Sequence, residues 1–200
     1  VSKKPQAGDK FPLLIYRRWA KMLRLPSLLV AIASGVAWWY APSIPLLADH
    51  DWTTIVIGVV AALIFFYSLL AHRAAYVQCL PDYFKIRTPF LPVAVSYKRI
   101  LQARPVEFHT QFSLSKMGRP RRRLVEPYLG RTTVLLEMRN LPGREGWLRR
   151  WLPWYMFASQ VTGFVLVVED WMALSQQIES FSDRWTTRRL EQQRAQKSLW

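Results

Sequence analysis

Two long stretches of this sequence carry no charge at all, Leu25 to Ala48 and Trp52 to Ala71. The second reads WTTIVIGVVAALIFFYSLLA. About 20 residues of helix, rising ~1.5 Å each, match a hydrocarbon layer of ~30 Å. A buried core helix is the other way to hide such a run. The remainder of a 200-residue chain, polar and rich in arginine, is too small to cover two helices that are apolar all round. The expectation is a two-helix transmembrane hairpin over 25–72.

The first span reads as helix from Leu28 to Tyr40, with Pro26 at a first helical position and Pro42 and Pro45 ending or kinking it. Trp38, Trp39, Tyr40 and Trp52 mark one membrane–water boundary, with the turn Asp49-His50-Asp51 beyond it. Cations lie on the other side: Lys3, Lys4, Lys10, Arg17, Arg18, Lys21 and Arg24 before the spans, and His72 and Arg73 after them. The positive-inside rule then puts both termini in the cytoplasm and the protein in the cytoplasmic (inner) membrane as a multi-pass protein. The end of the first apolar segment, Leu46-Leu47-Ala48, is a poor cleavage site, so a signal peptide is not expected.

The formal net charge of +15 suits nucleic acid, anionic lipid or membrane topology. One cysteine, Cys79, allows no intrachain disulfide and supplies no zinc spacing, so neither a metal nor another cofactor is expected.

Phe11 to Arg24 has helical periodicity. Phe11, Leu14, Ile15, Trp19, Met22 and Leu23 share a face, and Arg17, Lys21 and Arg24 lie towards the other, with Arg18 beside them. That pattern suits an interfacial helix within the basic segment 1–24, with Phe11, Arg17, Arg18 and Trp19 at the headgroups. Packing on a soluble core is the alternative.

After Arg73 the period changes. Ala75–Leu80, Tyr83–Thr88, Val93–Gln102, Val106–Leu114, Thr132–Met138 and Thr162–Val168 read as short strands separated by Pro, Gly and Asp turns. Asp170 can cap a helix whose stripe is Trp171, Leu174, Ile178, Phe181 and Trp185. The polar remainder, 187–200, reads as a solvated helix extension or a tail that grips a partner.

This order, two spans followed by antiparallel strands and one closing helix, resembles the bacterial membrane-associated pleckstrin-homology-like proteins. The text CLPDYFKIRTPFLPVAVSYKRILQARP is similar to their opening strands, and VLVVEDWMALSQQIESF to their last strand and helix. The resemblance covers about Ala75 to Trp185. It implies an α+β membrane protein: the hairpin, then a cytoplasmic antiparallel β-barrel or sandwich over 73–186, capped by a C-terminal amphipathic helix. A Trp-rich insertion at Gly146–Phe157 and the Arg-rich stretch at Gly118–Arg123 depart from that pattern.

Two segments are candidate sites. Lys116, Arg119, Arg121, Arg122 and Arg123, on a loop between strands, suit lipid phosphate or an acidic partner, since guanidinium forks match phosphate geometry. A merely solvated loop is the plain alternative. Nucleic acid is disfavoured because no recognition helix accompanies the patch. The second segment interleaves Trp147, Trp151, Trp154 and Tyr155 with Arg149 and Arg150. It suits docking on the membrane or on another subunit, and core filling is the alternative. No catalytic residues are assigned: His50, His72 and His109 stand far apart, and no phosphate-binding loop or nucleophile elbow occurs. The expected function is a non-enzymatic membrane-anchored binding or scaffold module, an accessory or assembly subunit of a larger membrane complex. The alternative is a regulator that binds anionic lipid.

Overall fold

The computed structural model describes residues 7–40, 51–112 and 117–197. Pro42, Pro45, Asp49 and His50 of the expected Asp49-His50-Asp51 turn, Lys3, Lys4, Leu114 and Lys116 lie outside them, while Asp51 opens a helix. The chain divides into two compact units, a helical one at 15–75 and a second made of 1–14 with 76–200.

The helical unit consists of α1 (Leu14–Tyr40) and α2 (Asp51–Ala74). Both are long and apolar enough to cross a membrane. From Leu14 to Tyr40 the lead-in and the first apolar stretch form one unbroken helix, and Pro26 lies inside it rather than at its start. Pro26 supplies no N–H to the preceding turn. Ser27 sits beside the gap and donates its hydroxyl to the Leu23 carbonyl at 2.7 Å and the Arg24 carbonyl at 3.1 Å. Gly58 of α2 faces Ser34 of α1; a Cβ at Gly58 would stand 3.2 Å from that of Ser34. Small residues there let the two backbones approach.

The second unit is α+β, with two antiparallel sheets. Sheet A has the order β1 (Lys10–Pro12), β2 (Tyr76–Cys79), β3 (Tyr83–Arg87) and β4 (Pro92–Ser96). Sheet B has the order β5 (Ile100–Glu107), β6 (Thr132–Met138) and β7 (Gly163–Leu166). Of the expected β-barrel or sandwich, the closed barrel is not formed: among the described residues no ladder joins the two sheets, and the chain passes from β4 to β5 through a tight turn at Tyr97–Arg99. Alternation sorts sheet A by face. Val77, Cys79, Phe84, Ile86, Val93 and Val95 are buried, while Lys10 and Arg87 stand outside.

Phe11 corrects the interfacial-helix expectation. It lies in β1 opposite Val77 and is buried, and the helix starts only at Leu14. Pro12 disfavours helical geometry at Phe11, and the Phe11-Pro12-Leu13 alternation suits an edge strand. Arg17, Arg18 and Trp19 do lie on α1. Val106–Leu114 is likewise not one strand. β5 stops at Glu107, and α3 (Phe108–Gln111) turns the chain. Phe108 and Phe112 are four apart, a spacing that fits period two and one helical turn equally, and both are buried with ring centroids 4.9 Å apart.

After two short helices, α4 (Arg119–Val125) and α5 (Glu145–Trp151), the chain closes with α6 (Trp171–Lys197). Asp170 caps it, its Oδ1 accepting from the Ala173 N–H at 2.9 Å. Leu174, Ser175, Ile178 and Phe181 form the buried stripe of a helix that packs on β5, β6 and β2. The segment expected as a tail continues this helix to Lys197, exposed from Arg189 onward.

Candidate binding surface

The Arg-rich stretch is not a loop. Arg119–Val125 forms α4, entered through Gly118 with Pro120 in its first turn, where a missing N–H costs nothing. Val125 anchors it in the core, while Arg119, Arg121, Arg122 and Arg123 are exposed. Among the described residues none of the four makes an ion pair.

α4 rests on an aromatic cluster. The Arg121 guanidinium lies 5.6 Å from the centroid of the Trp154 ring, within cation–π range. Trp154 meets Phe112 and Tyr155 edge-on, at 5.6 and 5.4 Å. Tyr155 stacks on Tyr128 at 6.5 Å, and Tyr128 touches Phe108. The two segments singled out separately in the sequence thus meet, at Arg121 and Trp154. Tyr155 is only 1 % exposed and belongs to the core, which removes it from any docking surface.

α5 (Glu145–Trp151) has two apolar faces. Leu148 is buried within it, and Leu152, just past its end, is buried too. Trp147 and Trp151, one turn apart, remain 49 % and 43 % exposed. Arg149 is engaged: it pairs with Glu145 at 2.7 Å and lies over the Phe157 ring at 5.2 Å. A small cleft of about 230 Å³ beside them, bounded by Gln160 and Thr162, is bordered by that same neutralised pair. Arg150 is exposed and makes no ion pair among the described residues.

Sequence reasoning missed two features. One is Phe90, 57 % exposed in the β3–β4 turn, its ring 6.3 Å from that of Trp151. The buried Thr88 stiffens this turn: its hydroxyl donates to the Leu91 carbonyl at 2.8 Å and accepts from the Leu91 N–H at 3.0 Å. The bracketing Pro89 and Pro92 were the available signal. The other is the outer face of sheet A, where Tyr76 lies between Lys10 and Arg87, 5.1 and 5.9 Å from its ring. A hydrogen bond from Arg87 holds the Tyr76 phenol below its ordinary pKa. Lys10 comes to this face only by strand pairing across some 65 intervening residues, which no local pattern announces.

Burial pushes the Cys79 thiol up to about 12, so it stays protonated and unreactive. Among the described residues no three His, Cys, Asp or Glu side chains gather as a metal site.

No protein-family model, curated protein or solved structure matches this chain.

Proposed function

We propose that this chain is a non-enzymatic, membrane-anchored binding module. Its hairpin crosses the cytoplasmic membrane twice and keeps the two-sheet domain on the cytoplasmic face, where it serves as an accessory or assembly subunit of a membrane protein complex. The observation that carries this reading is the pairing of β1 with β2. Pro12 lies opposite Tyr76, so the chain leaves sheet A just before α1 and rejoins its neighbouring strand just after α2. A sheet cannot be split across a bilayer, so a membrane-crossing hairpin must return to the side it left. The cation-rich flanks of the two helices favour the cytoplasm as that side. Antiparallel strands closed by one C-terminal helix support the pleckstrin-homology-like resemblance.

A protein partner is favoured by α6. From Arg189 to Lys197 this helix is exposed and has no apolar stripe. A helix end with no apolar stripe to bury on its own domain is marginal by itself and is stabilised by a polar neighbour. Arg121 over Trp154 adds the residue types that anchor interfaces.

The topology test uses Asp183→Cys, exposed on α6, with the buried Cys79 left in place. An impermeant maleimide should label it only after cells are opened. Labelling of intact cells overturns the topology. The partner test compares the full chain with one ending at Arg188, both purified from native membranes in mild detergent. Stoichiometric companions should be lost on truncation, and a monodisperse monomer in both cases rejects the subunit reading.

The second reading, an anionic-lipid regulator, is favoured by the four exposed arginines of α4, none of which makes an ion pair among the described residues. Replacing Arg119, Arg121, Arg122 and Arg123 with Gln should then abolish selective association of the reconstituted protein with phosphatidylglycerol, and unchanged selectivity rejects that site.

A further inference from the structure

Phe90, Trp147 and Trp151 come from two separate parts of the sequence and form one outward-facing apolar patch. Each ring is about half exposed, and aromatic side chains of this kind carry about 150–250 Å² each. Roughly 300 Å² of aromatic surface is therefore presented to solvent, comparable to the largest patch on an ordinary monomer. The patch is built rather than incidental. Thr88 locks the turn that displays Phe90, and Leu148 and Leu152 fix α5 so that its tryptophans face out.

Its place in the topology is specific. β2 runs away from the end of α2, and β3 returns antiparallel to it, with Arg87 opposite Tyr76. The Thr88–Leu91 turn therefore follows at the end of sheet A where the chain departs for α1 and re-enters from α2. The uncharged run of α2 ends at Ala71, and three helical residues and one link separate it from Tyr76. At ~1.5 Å per helical residue and ~3.8 Å per extended step, that path is at most about 12 Å. Arg87, exposed three residues before Phe90, and Arg150, exposed next to Trp151, flank the rings in sequence, which suits the depth where aromatic residues meet anionic headgroups.

We propose that the patch of Phe90, Trp147 and Trp151 is a third membrane contact, seated in the headgroup region of the leaflet from which α2 emerges. It fixes the orientation of the domain on the bilayer. The occupant is the lipid surface itself: the tether of about 12 Å keeps that surface within reach whether or not a partner is present. This proposal rests on the membrane-anchored reading and adds an orientation to it.

The test uses the full chain in nanodiscs of phosphatidylcholine with phosphatidylglycerol. Spin labels are attached singly at Phe90→Cys, Trp147→Cys, Phe66→Cys on α2 and Asp183→Cys on α6. Oxygen partitions into lipid, and a nickel chelate stays in water. Labels at Phe90 and Trp147 should lose nickel broadening as the Phe66 label does, while the Asp183 label keeps it. Nickel broadening at Phe90 and Trp147 with a protected Phe66 overturns the patch and leaves the anchor standing. Broadening at Phe66 as well overturns the anchor, and the patch with it. Protection of the patch that requires an added membrane extract overturns the lipid assignment in favour of a protein. Brominated lipid gives a second readout on variants that keep the aromatic surface. Trp147→Phe with Trp151→Phe should reduce the quenchable tryptophan emission, and an unchanged amplitude overturns the proposal.

Discussion

The helical hairpin and the two-sheet domain use the same apolar residues in opposite ways. In the hairpin Phe66 is 61 % exposed, and Ser27, Ala61 and Ser68 are buried. In the domain Phe84 is fully buried, and the lysines and arginines face out. The first unit is inside-out relative to the second. Water would penalise every exposed Leu, Ile and Phe of α2 at about 25 cal/mol per Å². Hydrocarbon around the hairpin, as proposed, would remove that penalty and leave close packing of small residues, as at Ser34 and Gly58, to hold the helices together. The two units are thus read as parts of one chain adapted to two solvents.

The largest effect should separate them by a single ring. Phe84→Ala opens a cavity in the domain core and should cost about 3–5 kcal/mol. Phe66→Ala, on the outer surface of α2, should cost less than about 0.5 kcal/mol, as at other positions away from a packed core. Thermal midpoints of the full chain in detergent micelles check this. Equal losses would mean that Phe66 is packed in a protein core and that the contrast is false.

A charge should discriminate in the opposite direction. Leu63→Arg, on the exposed middle of α2, should weaken membrane integration by about 2.5–3.5 kcal/mol. Ala94→Arg, on the exposed face of sheet A, should change stability by no more than about 0.5 kcal/mol. The fraction of each variant resisting alkaline carbonate extraction reads the first effect, and midpoints read the second. Full integration of Leu63→Arg would remove the lipid from around α2.

Alkali should reveal the dry interior of the domain. The folded thiol of Cys79 keeps its proton up to about pH 12, while an unfolded cysteine releases it from about pH 8.5. Between those values the unfolded chain binds fewer protons, so stability falls as pH rises, by up to ~1.4 kcal/mol per pH unit. Below that window the thiol contributes no pH dependence. The Tyr97 phenol, also raised by burial and donating to the Leu80 carbonyl at 2.8 Å, adds a fall in the same direction at higher pH. Cys79→Val should remove the earlier part of the fall. An unchanged profile in that variant would show that the strand around Cys79 is wet.

Much of this organisation was legible because it is periodic and local. The uncharged run Trp52–Ala71, the alternation at Tyr83–Arg87 and the Asp170 cap with its Leu174–Ile178–Phe181 stripe became the helix, strand and capped helix they suggest. What stayed hidden was non-local or degenerate. β1 has three residues, too few to alternate visibly, and its partner lies beyond the whole hairpin. Phe108 and Phe112 fit two periods at once. Trp154 and Tyr155 are adjacent and chemically alike, yet one reaches the surface beneath Arg121 and the other fills the core, a choice made by Tyr128 and Phe112 from elsewhere. The candidate surface was therefore legible as composition, and its Phe90 component emerged only when the β3–β4 turn met α5.

The smallest effect tests whether a polar contact has different worth in the two units. Asp170 and Ser27 each use a side-chain oxygen to complete helical backbone bonding, one at the start of α6 and the other beside Pro26 within α1. Asp170→Ala strips a cap whose orphaned N–H groups are left to water and should cost about 1 kcal/mol. Ser27 bonds carbonyls that already belong to a helix, and side-chain hydrogen bonds in membrane helices average only ~0.6 kcal/mol. Ser27→Ala should therefore cost less than Asp170→Ala when both are measured by graded denaturation of the full chain in micelles. A larger loss at Ser27 would make its hydroxyl the principal support of the helix across Pro26. α1 would then be held straight by one side chain, rather than by lipid-facing packing along its length.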